Sequence, residues 1–138
     1  MEKVSRYVKA WFANADEDLR GAIALHALDS KKYLRLVPYH CQQAVEKSLK
    51  GYLSYKKIKF EKNHDIASLA KLALPLDPEL EKLLEEAEVL TAFAIQFRYP
   101  DAENAAPTLE DSKFSIRVAK AICAGFLSLI PLEGPMGF

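Results

Sequence analysis

The chain has 138 residues, half of them hydrophobic and 28% charged, which suits one globular domain with its own core and excludes a disordered segment. Its 19 lysines and arginines balance 19 aspartates and glutamates, so the excess basic charge on which non-specific polyanion binding depends is missing. The most apolar stretch, Val118 to Leu132, contains Lys120 and Pro131 and falls short of the ~20 residues a membrane span needs.

Met1 is followed by Glu2, Lys3 and Arg6 and then by a helical pattern, not by an apolar leader, which predicts a cytoplasmic protein. The first helix is expected over Val4–Leu28, with Val4, Val8, Trp11, Ala15, Leu19, Ala22 and His26 recurring on one face. Asp29, Ser30, Lys31 and Lys32 make a polar turn. A second helix starts near Pro38, a residue suited to a first turn because no amide hydrogen is needed there. Cys41, Val45, Ser48, Leu49 and Tyr52 form its core face, and it ends in the lysine-rich stretch before Phe60.

A short third helix is expected from Asp65 to Pro75, with Ile66, Leu69, Ala70 and Ala73 inward. Asp77–Pro78 then pairs an N-cap acceptor with proline at the first helical position. The fourth helix carries Leu80, Leu83, Leu84, Ala87, Leu90, Thr91 and Ala94 on one face. It stops before Pro100, whose ring pushes Tyr99 out of helical geometry. After a polar loop with Pro107, Thr108 is expected to cap the last helix, with Asp111 completing a weaker version of the capping box. Phe114, Val118, Ala121, Ile122, Gly125 and Leu129 are its expected core face, closed by Pro131.

No segment alternates apolar and polar residues as a strand would. The fold class that follows is all-α, an antiparallel up-and-down bundle of about five helices over residues 1–131, with a tail over 132–138. Cys41 and Cys123 fall within apolar helical patterns and are expected as buried, reduced thiols. No Cys-x-x-Cys or His-x-x-x-His pair seeds a metal site, and no cofactor is expected.

Charge is unevenly placed. Lys47, Lys50, Lys56, Lys57, Lys59 and Lys62 form a basic run, and Glu79, Glu81, Glu85, Glu86 and Glu88 an acidic one. These are either solvated helix faces or complementary patches of a self-associating or paired protein. On the second helix, His40, Gln43, Lys47 and Lys50 share a stripe beside the core face. An imidazole, an amide and two ammonium groups so spaced could bind a phosphate or a base. The alternative is that the lysines are merely solvated while His40 and Gln43 cap neighbouring backbone.

The run Tyr39-His40-Cys41-Gln42-Gln43-Ala44-Val45-Glu46-Lys47-Ser48-Leu49-Lys50 resembles the second-helix signature of the HEPN (higher eukaryotes and prokaryotes nucleotide-binding) domain family. Trp11 and Ala15-Asp16-Glu17-Asp18-Leu19 resemble its first helix, His64-Asp65-Ile66 the start of its third, and Phe97-Arg98-Tyr99-Pro100 the corner after its fourth. The likeness extends from Trp11 to Ile130.

The resemblance implies a helical bundle, usually dimeric, working with RNA or nucleotides. It also implies pairing with a minimal nucleotidyltransferase, in some members as toxin and antitoxin. Active members of the family are metal-independent ribonucleases with an arginine followed, four to six residues on, by a histidine. Histidine moves the proton of a 2′-hydroxyl and arginine steadies the phosphate.

Arg98 stands at the place of that arginine, but Tyr99 to Pro107 hold no histidine. Asp101 and Glu103 are poor replacements, because carboxylates repel the phosphate. Arg20 with His26 and Arg35 with His40 have the spacing, but not the position. An arginine at a helix C-terminus can also simply satisfy the last carbonyls.

The expected function is therefore a nucleotide- or RNA-phosphate-binding module and nucleotidyltransferase partner, catalytically inactive alone and homodimeric. Its site is expected to draw on His40, Gln43, Lys47, Lys50, His64 and Arg98. The alternatives are a ribonuclease with a differently assembled site, built on His40 or His64, and a structural dimer without a ligand.

Overall fold

The computed structural model describes residues 4–61, 65–96 and 107–131. The described residues form five α-helices: α1 (Arg6–Leu28), α2 (Leu36–Tyr55), α3 (Ile66–Ala73), α4 (Glu81–Gln96) and α5 (Leu109–Ser128). Among the described residues there is no strand.

Local chemistry sets the helix starts. The Ser5 side chain accepts from the Val8 amide at 3.2 Å, so α1 begins at Arg6 and not at Val4. At its other end the Asp29 carboxylate accepts from the amides of Lys31 and Lys32, which shapes the turn into α2. α2 starts two residues before Pro38, which occupies the third helical position. The first turn tolerates it, since amides there have no intrahelical acceptor. Asp65 caps α3 by accepting from Ser68 at 2.8 Å. α3 then passes into a 3-10 turn, Leu74–Leu76, that contains Pro75. Asp77 caps a second 3-10 turn, Pro78–Leu80, which runs into α4. The capping box of α5 is complete: Thr108 Oγ1 accepts from the Asp111 amide at 3.2 Å, and Asp111 Oδ2 accepts from the Thr108 amide at 2.7 Å.

α2 is the central helix, packed against α1, α3, α4 and α5. Its expected core face, Cys41, Val45, Ser48, Leu49 and Tyr52, is fully buried. α1 lies antiparallel to it: Asp18 meets His40 and Lys47, while Trp11, nearer the start of α1, meets Lys50 and Phe60. The two helices approach closely where Phe12 crosses Gly51. A Cβ on Gly51 would lie 2.7 Å from the Phe12 ring.

Several expected core positions are corrected. On α1 the fully buried aromatic is Phe12; Trp11 is half-buried, and so is His26. On α5 the buried face is Ser112, Ser115, Ala119, Ile122, Cys123 and Phe126, and Ala121 is exposed. Hydropathy misplaces that face because serines count as polar. Here the Ser115 hydroxyl donates to the Asp111 carbonyl at 2.8 Å, so its hydrogen bond is satisfied within the helix and its small volume permits close packing. Phe114, expected inward, is half-buried against Phe93, with ring centroids 5.5 Å apart.

α2 ends in a Schellman motif. The Ile58 amide donates to the Leu53 carbonyl at 2.9 Å and the Lys57 amide to that of Ser54 at 3.0 Å. Lys57 takes the left-handed position that glycine usually fills, at φ 60°. For a side chain with a Cβ that conformation costs about 1–2 kcal/mol.

A charged seam between α1 and α2

α1 and α2 bury apolar residues on their common inner side and leave a polar line along the groove between them. At its centre is Asp18, a carboxylate shared by two residues of α2. His40 Nδ1 lies 3.2 Å from Asp18 Oδ1, and Lys47 Nζ lies 2.5 Å from Oδ2. All three are partly sheltered: 15% of the Asp18 side chain, 29% of Lys47 and 31% of His40 remain exposed. A carboxylate can only accept, so the His40 proton sits on Nδ1 and Nε2 is left for another partner. Lys47 likewise spends one of its three ammonium donors on Asp18 and keeps two. Asp18 thus orients two cation-capable groups without consuming them.

Gln43, half-buried, sits one helical turn from each of the two. Lys50 separates from this group. Its side chain is only 10% exposed, its ammonium lies 5.4 Å from the Trp11 ring centroid, and Glu46 is 3.9 Å away. It braces α1 against α2 by a cation–π contact. His64 and Arg98 lie outside the described residues. Of the six residues expected from the sequence, the structure therefore brings His40, Gln43 and Lys47 together and turns Lys50 toward α1.

Sequence reading missed Asp18 as a member of the site. The signal was present in the Ala15–Leu19 stretch, but Asp16 and Asp18 are equivalent by pattern, and only the packing separates them. Asp16 takes Arg20 at 2.8 Å on its own helix, whereas Asp18 crosses to α2.

The two thiols behind the seam contribute no reactive group. Burial pushes Cys41 well above its usual range and Cys123 up to about 12, so both remain protonated near neutral pH.

The HEPN domain profile matches residues 8–127, nearly the whole helical body. The chain belongs to the HEPN family. Its fold is shared with TT1696 from Thermus thermophilus, whose crystal structure is 27% identical, superimposes with a TM-score of 0.73, and matches over 91% of this chain and 100% of that one. An archaeal HEPN homologue, ST0689, is 22% identical with a TM-score of 0.66, over 94% of this chain and 98% of its own; at that identity the likeness concerns the fold alone. No curated protein matches the chain. Among the described residues no helix is long and apolar enough to cross a membrane, and no cluster of three or more His, Cys, Asp or Glu residues could hold a metal.

Proposed function

We propose that this HEPN domain is a nucleotide- or RNA-phosphate-binding module that acts as partner to a minimal nucleotidyltransferase, in the manner of a toxin–antitoxin pair, and does not cleave RNA by itself. The observation that carries the reading is the Asp18-centred pair of donors: His40 and Lys47 are aligned on a partly exposed groove, each with hydrogen-bonding capacity to spare. A phosphate oxygen placed beside them would meet charge-assisted donors already held in position. Arg98 is proposed as a further phosphate contact and His64 as a further polar contact, on the strength of the family alone. The vacancy of the family's histidine position after Arg98 supports the inactive state.

A homodimer forms part of the proposal. α4 leaves Val89 and Ile95 more than half exposed, with the acidic Glu85 one helical turn before Val89. A two-fold contact would pair this surface with complementary surface on a second copy.

One observation favours a second reading. An aspartate that holds a histidine through Nδ1 is the arrangement that orients an imidazole for proton transfer. His40 could then act as the base toward a 2′-hydroxyl, which would make the protein a ribonuclease with a site unlike its family's.

Labelled single-stranded RNA in metal-free buffer separates the two. The binding module leaves the RNA intact and binds it weakly, with binding reduced in Lys47→Ala and in Arg98→Ala. Cleavage by the wild type that vanishes in His40→Ala or His64→Ala would replace the binding module with the enzyme. Unchanged binding in both Lys47→Ala and Arg98→Ala would leave only the structural dimer.

A further inference from the structure

The start of α1 and the Schellman turn after α2 enclose an open hollow of about 470 Å³, lined by Tyr7, Ser54, Lys57, Ile58, Lys59 and Phe60. That volume lies in the range of small-molecule pockets. Three rings are arrayed beside it: Tyr7 and Trp11 stand edge to face at 5.9 Å, and Trp11 and Phe60 at 6.2 Å. Trp11 already carries the Lys50 ammonium on its ring and is half-buried. Tyr7 is 60% exposed, the most open of the three. Lys57 and Lys59, both exposed, belong to the same lining.

We propose that this hollow is a base-stacking subsite for single-stranded nucleic acid, with a base lying on Tyr7 and the adjoining phosphates on Lys57 and Lys59. The inference rests on the phosphate-binding reading of the seam and extends it from a single phosphate to a strand. Aromatic faces beside a lysine-lined wall are the combination that holds single strands without reading sequence.

The spacing agrees. From Lys47 to Ser54, the α2 residue that lines the hollow, is seven helical residues, about 10 Å. A stacked strand advances about 3.4 Å per nucleotide, so roughly three nucleotides span that distance.

The test uses hexauridylate and a polyanion without bases, tripolyphosphate, both titrated at low salt. Trp11 is the sole tryptophan and meets the lining rings Tyr7 and Phe60 edge to face, so its emission reports on the hollow through them. Wild type is expected to bind hexauridylate with a change in Trp11 emission. Tyr7→Ala should weaken hexauridylate about tenfold, as loss of one stacked base predicts, while leaving tripolyphosphate unchanged. Lys59→Ala should weaken both ligands and lower the salt dependence by about one phosphate contact. Lys57→Gly should weaken hexauridylate while raising the Tm by about 3 °C, a combination that misfolding cannot produce. If hexauridylate binds but Tyr7→Ala and Lys57→Gly bind it as tightly as wild type, the hollow is not a subsite and the seam reading stands. If wild type binds neither ligand, both readings fall.

Discussion

The two sides of α2 follow opposite rules. Toward the core it presents Cys41, Leu49 and Tyr52, fully buried, with the Tyr52 ring 5.5 Å from that of Phe126 on α5. Toward α1 it presents His40, Lys47 and Lys50, each tied to a residue of α1: the first two to Asp18, the third to Trp11. The inner side is chemically silent, because burial holds its thiol, like that of Cys123 on α5, protonated. At Asp18 the seam keeps the charge of His40 and Lys47 within reach of water, where an ammonium or imidazole can change partners at low cost. The same helix therefore holds the fold together on one side and leaves the other able to bind.

That division predicts very different sensitivities. The largest effect is expected from Phe12→Ala, which empties the fully buried position where α1 crosses α2. The loss should be about 3–5 kcal/mol, read from the urea midpoint. A loss below about 1 kcal/mol would mean that this crossing is not part of the core.

An effect of similar size is a loss of stability at alkaline pH. Both thiols have a higher pKa in the fold than the unfolded value of 9.0, Cys123 reaching about 12. Their contribution is whole below pH 9 and is lost as pH rises toward and through the folded values. Over that window the slope approaches about 1.4 kcal/mol per pH unit for each thiol. Melting curves from about pH 8 to 11 should show this fall, and Cys41→Ala with Cys123→Ala should flatten it. An unchanged slope in the double variant would assign the alkaline loss to other groups, Tyr52 among them, whose pKa burial also raises.

On the seam, Asp18→Ala removes the shared acceptor and should cost about 1–2 kcal/mol, since the pair it breaks is only partly sheltered. It should also loosen His40, seen as a change in the imidazole resonances by NMR. A full core-sized loss would place Asp18 among the structural residues instead.

The same division explains what was legible in the sequence. Capping residues announce themselves chemically, so Asp77, Thr108 and Asp111 were readable, as was the core face of α2. The buried face of α5 was not, because Ser112 and Ser115 are inward for their size and not for their hydropathy. The same limit holds at the site. Helical spacing placed His40, Gln43, Lys47 and Lys50 on one stripe, but whether an ammonium meets a carboxylate or an indole depends on what the neighbouring helix puts opposite it. Asp18 and Trp11 make that choice, and no periodicity within α2 encodes it.

The smallest predicted effect tests whether the seam is as loosely packed as this contrast requires. Gly21 lies one turn beyond Asp18 on α1, and a Cβ added there would meet nothing within 4 Å, unlike one on Gly51. Gly21→Ala should therefore bring only the gain in helix propensity, about 0.8–1 kcal/mol, with no packing penalty. For a domain of this size that corresponds to a rise in Tm of about 3 °C. Binding at His40 and Lys47 should be unaffected, because neither the Asp18 carboxylate nor its two partners would move. A fall in Tm would show that the two helices close over the seam more tightly than the open groove implies, and would leave less room for a phosphate beside Asp18.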